Sequence, residues 1–197
     1  MIPTEEDKQY AKLLAHSLGI EEKPEIYTYY DEDESHSVDI ISIVDPIDKN
    51  VVISSSIGLS NYSNLIEMKD GTEFSIPVEL LMVSYKEFDS MQNVISTVSF
   101  YIMKNSWNCQ PGTVFKSMIS DYYDFPMKHV MFIRPYLWED KLSNLKFGKK
   151  SVHCLLLVPI SDEELQYKLE YGSSSLEELL FGVHKIDLYD LKRKSVV

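Results

Sequence analysis

The sequence predicts an α+β fold, a mostly antiparallel mixed sheet with helices packed on it, as a single domain over residues 1–197. Three observations lead there. Short apolar or alternating runs recur between turn residues, as half-buried strands require. Separate stretches repeat apolar residues every three or four positions, which is the helical period. The chain is 44% hydrophobic and 25% charged over 197 residues, so it can bury a core without a metal or disulfide.

The first element is a helix over about residues 4–18. Thr4 can cap it, and Glu5, Glu6 and Asp7 suit the positive end of the helix dipole. Tyr10, Ala11, Leu14 and Leu18 form one apolar stripe, and Gly19 suits the stop. An antiparallel meander of four or five strands follows. Its pieces are Ile26-Tyr27-Thr28-Tyr29-Tyr30, the run from Ser37 to Val44, and Val51-Val52-Ile53. Asp70-Gly71 marks a hairpin with arms of about 62–68 and 73–84, because this pair accepts positive φ.

Residues 87–105 read as the main helix. Phe88, Met91, Ile95, Val98 and Ile102 share one face, and Pro111-Gly112 lies beyond its end. A less regular section runs to about 128. Two strands follow, Val130 to Ile133 and Val152 to Val158, and the second is apolar enough to be central and covered on both faces. Ser161-Asp162-Glu163-Glu164 opens a helix that Gly172 stops, and Ser175-Leu176-Glu177-Glu178 repeats that capping device near Gly182. A last strand is expected over 185–189.

The charge is strongly acidic and unevenly spread. Nineteen Lys and Arg against thirty-one Asp and Glu give a net charge of −12. Residues 1–45 hold twelve acids and three lysines, a net −9, while the remainder is only −3. Such a balance argues against direct nucleic-acid binding and against an anionic membrane surface. The longest apolar runs, such as Leu155 to Ile160, fall well short of the roughly 18–20 residues a membrane span needs. An acidic start and two cysteines predict a reduced, cytoplasmic protein.

Motifs of catalysis are absent. The sequence has no Gly-rich phosphate loop, no Cys-x-x-Cys, no His-Glu-x-x-His and no Gly-x-Ser-x-Gly. His153 and Cys154 are strand neighbours and point to opposite faces, so they cannot easily act together. Cys154 sits in an apolar run as a core thiol, whereas Cys109, at a helix end, is expected to be more exposed. The five histidines lack metal-site spacing, and no metal or cofactor is expected. Asp31-Glu32-Asp33-Glu34 lacks the alternating ligands and central glycine of a calcium loop. It reads as a solvated turn or as a surface that steers a basic partner. Tyr27, Tyr29 and Tyr30 lie beside it; Tyr27 and Tyr29 share a face, read first as a packed core face and second as an interface.

Several segments of the second half carry a family signature. They are Trp107-Asn108-Cys109-Gln110-Pro111-Gly112, the run from Leu155 through Val158-Pro159-Ile160 to Glu164, Ser175 to Phe181, and Asp190 with Arg193-Lys194-Ser195-Val196. Ile76-Pro77-Val78-Glu79-Leu80 supplies the strand before the long helix. Over about 75–197 the chain resembles the suppressor of fused domain family, in particular its stand-alone bacterial members. Thr113 departs from the family, where many relatives carry His, so Pro111-Gly112 is read as turn chemistry alone. The resemblance implies binding and not catalysis. The animal namesake sequesters a transcription factor. Bacterial relatives look like immunity proteins beside secreted toxins, many with nuclease ends.

The expected function is therefore a non-enzymatic inhibitor of a cognate basic toxin. Its candidate contact residues are Tyr29, Tyr30, Asp31, Glu32, Asp33 and Glu34. Two alternatives stand beside it: an adaptor holding a partner's peptide at a sheet edge, and a hydrolase using His153 or Cys109.

Overall fold

The computed structural model describes residues 4–20, 24–67, 70–138 and 141–197. Helix α1 (Glu5–Ser17) starts where the sequence places it. The Thr4 hydroxyl accepts the Asp7 N–H, while the Asp7 carboxylate accepts the Thr4 N–H, a reciprocal capping box. Gly19 follows with φ +71, the conformation that ends helices at glycine.

Strands β1 (Glu25–Tyr30), β2 (Ser37–Val44) and β3 (Val51–Ile57) form the antiparallel meander. The predicted hairpin then splits. Leu65–Glu67 (β4) and Glu73–Ser75 (β5) pair as a small separate sheet, and Val78–Tyr85 (β6) joins the main one. Pro77 sits at the break, where it has no N–H to give to a ladder. The end of the first arm at 68, and Lys69, lie outside the described residues.

Helix α2 (Met91–Asn105) begins four residues later than the periodicity predicts. Phe88 is buried, but on the loop, packed edge-on against the stacked rings of Tyr123 and Phe125. The Tyr123 hydroxyl takes the Ser90 N–H at 2.6 Å, so the helix entrance is held from a distant loop. Strands β7 (Val114–Phe115), β8 (His129–Ile133), β9 (Leu145–Phe147) and β10 (Lys150–Ile160) follow, then helices α3 (Asp162–Tyr171) and α4 (Ser173–Glu177).

The main sheet runs in the order β1-β2-β3-β6-β10-β8-β7, with β9 paired to β10. All its pairs are antiparallel except β6 with β10. Strand β10 is central, and side chains alternate between two cores. Cys154, Leu156 and Val158 face α1, α3 and α4; Leu155 and Leu157 face α2 and the segment 115–127. That double cover explains why the strand is apolar throughout.

Three expectations near the C-terminus and the long loop need correction. The segment 185–189 forms no strand; it meets β6 through the Tyr85 N–H to the Tyr189 carbonyl, the Tyr85 hydroxyl to Asp187 at 2.7 Å and the Tyr85–Tyr189 ring contact. Helix α4 begins at Ser173 after Gly172, and the Ser175 hydroxyl turns back to the Tyr171 carbonyl instead of capping. A wider π-helical turn, Glu178–Val183, completes it. Cys109 is 1% exposed, not accessible, because Asn64 grips its backbone through both amide atoms at 2.9 Å.

Candidate partner-binding surface

Several residues of the family-signature segments turn out to be internal fastenings, although Trp107, Asn108, Gln110 and Pro111 are exposed. Glu79 lies fully inside on β6. Its carboxylate accepts the Ser56 hydroxyl at 2.5 Å and the Gly58 and Ser60 N–H groups at 3.0 Å. Burial pushes its pKa up, and those three donors oppose the rise. Gly112 has φ +87 and gives its N–H to the Phe132 carbonyl at 2.7 Å; a Cβ there would stand 2.6 Å from Ser173 Oγ. Turn chemistry is thus joined by close packing.

The same holds at the C-terminus. Glu164 closes the α3 capping box with Ser161. Its two oxygens also take the Arg193 guanidinium at 2.6 and 2.8 Å and the Val196 N–H at 3.1 Å. Arg193 reaches on to the Pro159 carbonyl at 2.8 Å. None of these groups offers a free functional end.

The hydrolase candidates fare no better as chemistry. Burial pushes the thiols of Cys109 and Cys154 up to about 12, so neither carries thiolate near neutrality. His153 lines a cavity of about 480 Å³ together with Arg134, Ser143 and Asn144. Among the described residues no three His, Cys, Asp or Glu gather as a metal site. Among the same residues no helix is long and apolar enough to cross a membrane.

The hairpin of β1 and β2 has a different character. Asp31, Glu32, Asp33 and Glu34 form its tip, between the paired residues Tyr30 and Ser37. Asp31 is not a solvated acid: it is 8% exposed and organises the turn. Its carboxylate accepts the His36 N–H at 2.9 Å, the Ser35 hydroxyl at 3.0 Å and the Lys104 ammonium at 3.1 Å. The His36 ring also approaches at 3.1 Å. Burial disfavours its charge, yet these partners outweigh burial and hold the carboxyl well below the usual range. Glu34 adopts φ +53 to close the turn.

Lys104 stands in the last turn of α2 and also contacts Asp33 at 3.3 Å. Hydrogen bonds from its ammonium to Asp31 and then Asp33 raise its pKa. Glu32, Asp33 and Glu34 themselves remain exposed. Between the tip and α2 lies an open cavity of about 630 Å³, lined by Tyr29, Tyr30, Asp31, Glu32, Phe100 and Lys104 among others. The structure therefore brings four of the six predicted contact residues to one groove, with Asp33 and Glu34 on the adjoining loop.

Strand β1 is the sheet's edge and is mostly exposed, so the packed-face expectation for its tyrosines fails in part. Tyr29 packs against the core beside α2, while Tyr27 and Tyr30 are 48% and 55% exposed. Sequence reasoning missed Lys104 and Ile26. Lys104 lies 71 residues from Asp33, a pairing without a local signal, and Ile26 reads in the sequence only as the first residue of a strand.

Comparison with known proteins fits this fold. The profile of the suppressor of fused protein (SUFU) family matches residues 34–194, so β1 and Asp31 to Asp33 precede the match. The chain is 38% identical over 195 residues to the immunity protein YqcF of Bacillus subtilis strain 168, covering 98% of each. A suppressor of fused homologue from Neisseria gonorrhoeae FA 1090 superposes with a TM-score of 0.73 at 15% identity, covering 97% of this chain and 96% of the other. The Sufu–Fu complex gives 0.67 at 13% identity, with 96% and 91% covered. Drosophila Suppressor of Fused gives 0.66 at 13%, covering 95% of this chain and 50% of that longer one. The sequence match over most of the chain and the end-to-end identity together establish that this chain belongs to the suppressor of fused family.

Proposed function

We propose that this chain is an immunity protein that neutralises a cognate toxin by binding it directly, without catalysis. The observation that carries the reading is the 38% identity, across 98% of both chains, with a protein named for immunity. The charge supports a basic toxin as the target. A protein of net charge −12 with exposed acids on a defined loop draws in a positively charged partner and slows its escape. Nuclease toxins are a fitting class, since phosphate binding requires clustered Lys and Arg. Tyr29, Tyr30 and Asp31 to Glu34 form the contact surface, with Asp31 shaping the loop and the other acids facing the toxin. The protein works in the cytoplasm, where such a toxin would attack nucleic acid.

The test is to purify the tagged chain from its host at low and at high salt. The expected result is one basic partner at a one-to-one ratio, released by high salt. Expressed alone, that partner should kill or arrest cells, and co-expression of this chain should rescue them. Absence of any such partner, or a partner whose toxicity is unaffected, would overturn the reading.

A further inference from the structure

The main sheet has two ends, and they differ. One is β7, only two residues long, and the other is β1, with six. Among the described residues no strand pairs the outer edge of β1. The direction of each backbone group follows from the ladder. The Asp31 N–H donates to the His36 carbonyl at 3.2 Å, which makes 31 and 36 a hydrogen-bonded pair. Pairs alternate along an antiparallel ladder, so Tyr29, Tyr27 and Glu25 also face β2. Ile26, Thr28 and Tyr30 therefore turn their N–H and C=O groups outward.

Edge strands of this kind are usually guarded by proline, lysine or a bulge. Within β1 there is no proline or lysine, and its one-to-one register with β2 leaves no bulge. Three of its exposed side chains are apolar or aromatic, Ile26 at 47% exposed, Tyr27 at 48% and Tyr30 at 55%, and Glu25 and Thr28 are exposed beside them. The strand is a straight template about 20 Å long, at roughly 3.4 Å per residue.

Charge selects the occupant. Glu25 stands at one end of the strand, and Glu32, Asp33 and Glu34 stand at the other. An antiparallel second copy would set the acids of each tip against Glu25 of its mate. A parallel copy would stack like on like. Both arrangements set carboxylates together, which disfavours self-pairing. A basic strand meets no such penalty.

We propose that β1 captures an extended segment of the basic toxin as an added strand, backbone to backbone. Ile26, Thr28 and Tyr30 supply the hydrogen bonds. Lys or Arg side chains of the segment lie against Glu25 at one end and against Glu32, Asp33 and Glu34 at the other. This rests on the immunity reading and adds to it the mode of capture.

Proline at position 28 tests it. The Thr28 N–H takes no part in the β1–β2 ladder, so Thr28→Pro removes an outward donor and leaves that ladder in place. The change also deletes the bond from the Thr28 hydroxyl to Asp39, at 2.6 Å, so Thr28→Val is the control. Affinity for the basic partner that co-purifies with the wild type is measured for each. Thr28→Val should bind like the wild type, and Thr28→Pro should lose about 5- to 100-fold, the loss expected when the partner's carbonyl is left without its donor. Ile26→Pro replaces it if thermal unfolding shows Thr28→Pro to be misfolded. Amide exchange on the wild type needs no variant: the partner should slow exchange at Ile26, Thr28 and Tyr30, while Tyr27 and Tyr29 are already protected. If the partner binds with those three amides unprotected and both proline variants intact in affinity, strand capture is wrong and the immunity reading survives. If no basic partner is recovered at all, both fall.

Discussion

Glu164 and Asp31 are both carboxylates withdrawn from water and met by a cation, yet they hold different things. Glu164 is fully buried, and its partners tie α3, the Pro159 carbonyl (through Arg193) and the C-terminal residues into the core. Asp31 is spent on a surface turn, and its partners fix where three exposed acids and the end of β1 stand. The first fastening serves stability. The second serves shape. The difference teaches that the buried fastenings within the family-signature segments lie apart from the contact surface proposed at the tip. Glu79, Gly112, Glu164 and Arg193 are the residues on which the fold depends, whereas β1 and the first acids of the tip precede the family match.

The comparison breaks most visibly at Arg193. Its side chain is 7% exposed, and that of Glu164 is 0% exposed, so Arg193→Ala strands a buried carboxylate without its cation. The expected cost is about 3–5 kcal/mol, read by urea denaturation. Folded protein that survives should bind the partner as tightly as before, because the tip is untouched. A loss of affinity matching the loss of stability would mean that the two regions are not independent.

Gly112→Ala is a second and smaller blow on the same side. Alanine at φ +87 is strained, and its Cβ would have to displace Ser173, a cost of roughly 1–3 kcal/mol. Again the partner's affinity should hold, with only the unfolding midpoint moving.

These fastenings also show which parts of the fold could be read from sequence. The caps of α1 and α3 were legible because Thr4 with Asp7, and Ser161 with Glu164, are three residues apart and need nothing else. The central place of β10 was legible because a strand covered on both faces must be apolar on both. The false strand at 185–189 alternates well enough, but pairing depends on neighbours the local pattern does not contain. Phe88 has the right period for α2 and is nevertheless a loop residue, claimed by the rings of Tyr123 and Phe125. The acidic tip was visible as charge. Its rigidity was not, since Lys104 comes from the end of a helix far along the chain. Nor was the edge position of β1, because which strand lies outermost is decided by the whole sheet order.

Asp31→Asn separates shape from charge at the tip. The variant keeps an acceptor but weakens the hold on Lys104 and on the His36 ring. A carboxyl whose pKa is lowered on folding contributes stability above its unfolded value, about 3.9, and loses it as pH falls through the lower folded value. Wild type should therefore lose stability between about pH 4 and pH 2 relative to Asp31→Asn, and the two curves should converge at the acid end. Equal pH profiles would show that Asp31 does not organise the turn. If it does, the variant should also bind the partner more slowly at neutral pH, since its loop is no longer held.

The least disturbing change is Glu32→Gln with Glu34→Gln. Both side chains are exposed, and neither holds a partner among the described hydrogen bonds and ion pairs, so stability should stay within about 0.5 kcal/mol. What should change is the rate of meeting the partner. Long-range attraction acts before contact and is screened over about 8 Å at physiological salt. Association should slow by roughly 3- to 10-fold in dilute buffer, the low end of what steering supplies. The gap from wild type should close as salt is added, and dissociation should change less than association. Stopped-flow mixing over a salt series reads both rates. A faster dissociation with unchanged association would place these acids in tight contact with the partner instead of in its approach path. No change in either rate would make the tip a bystander, with the edge of β1 left to account for recognition through its backbone alone.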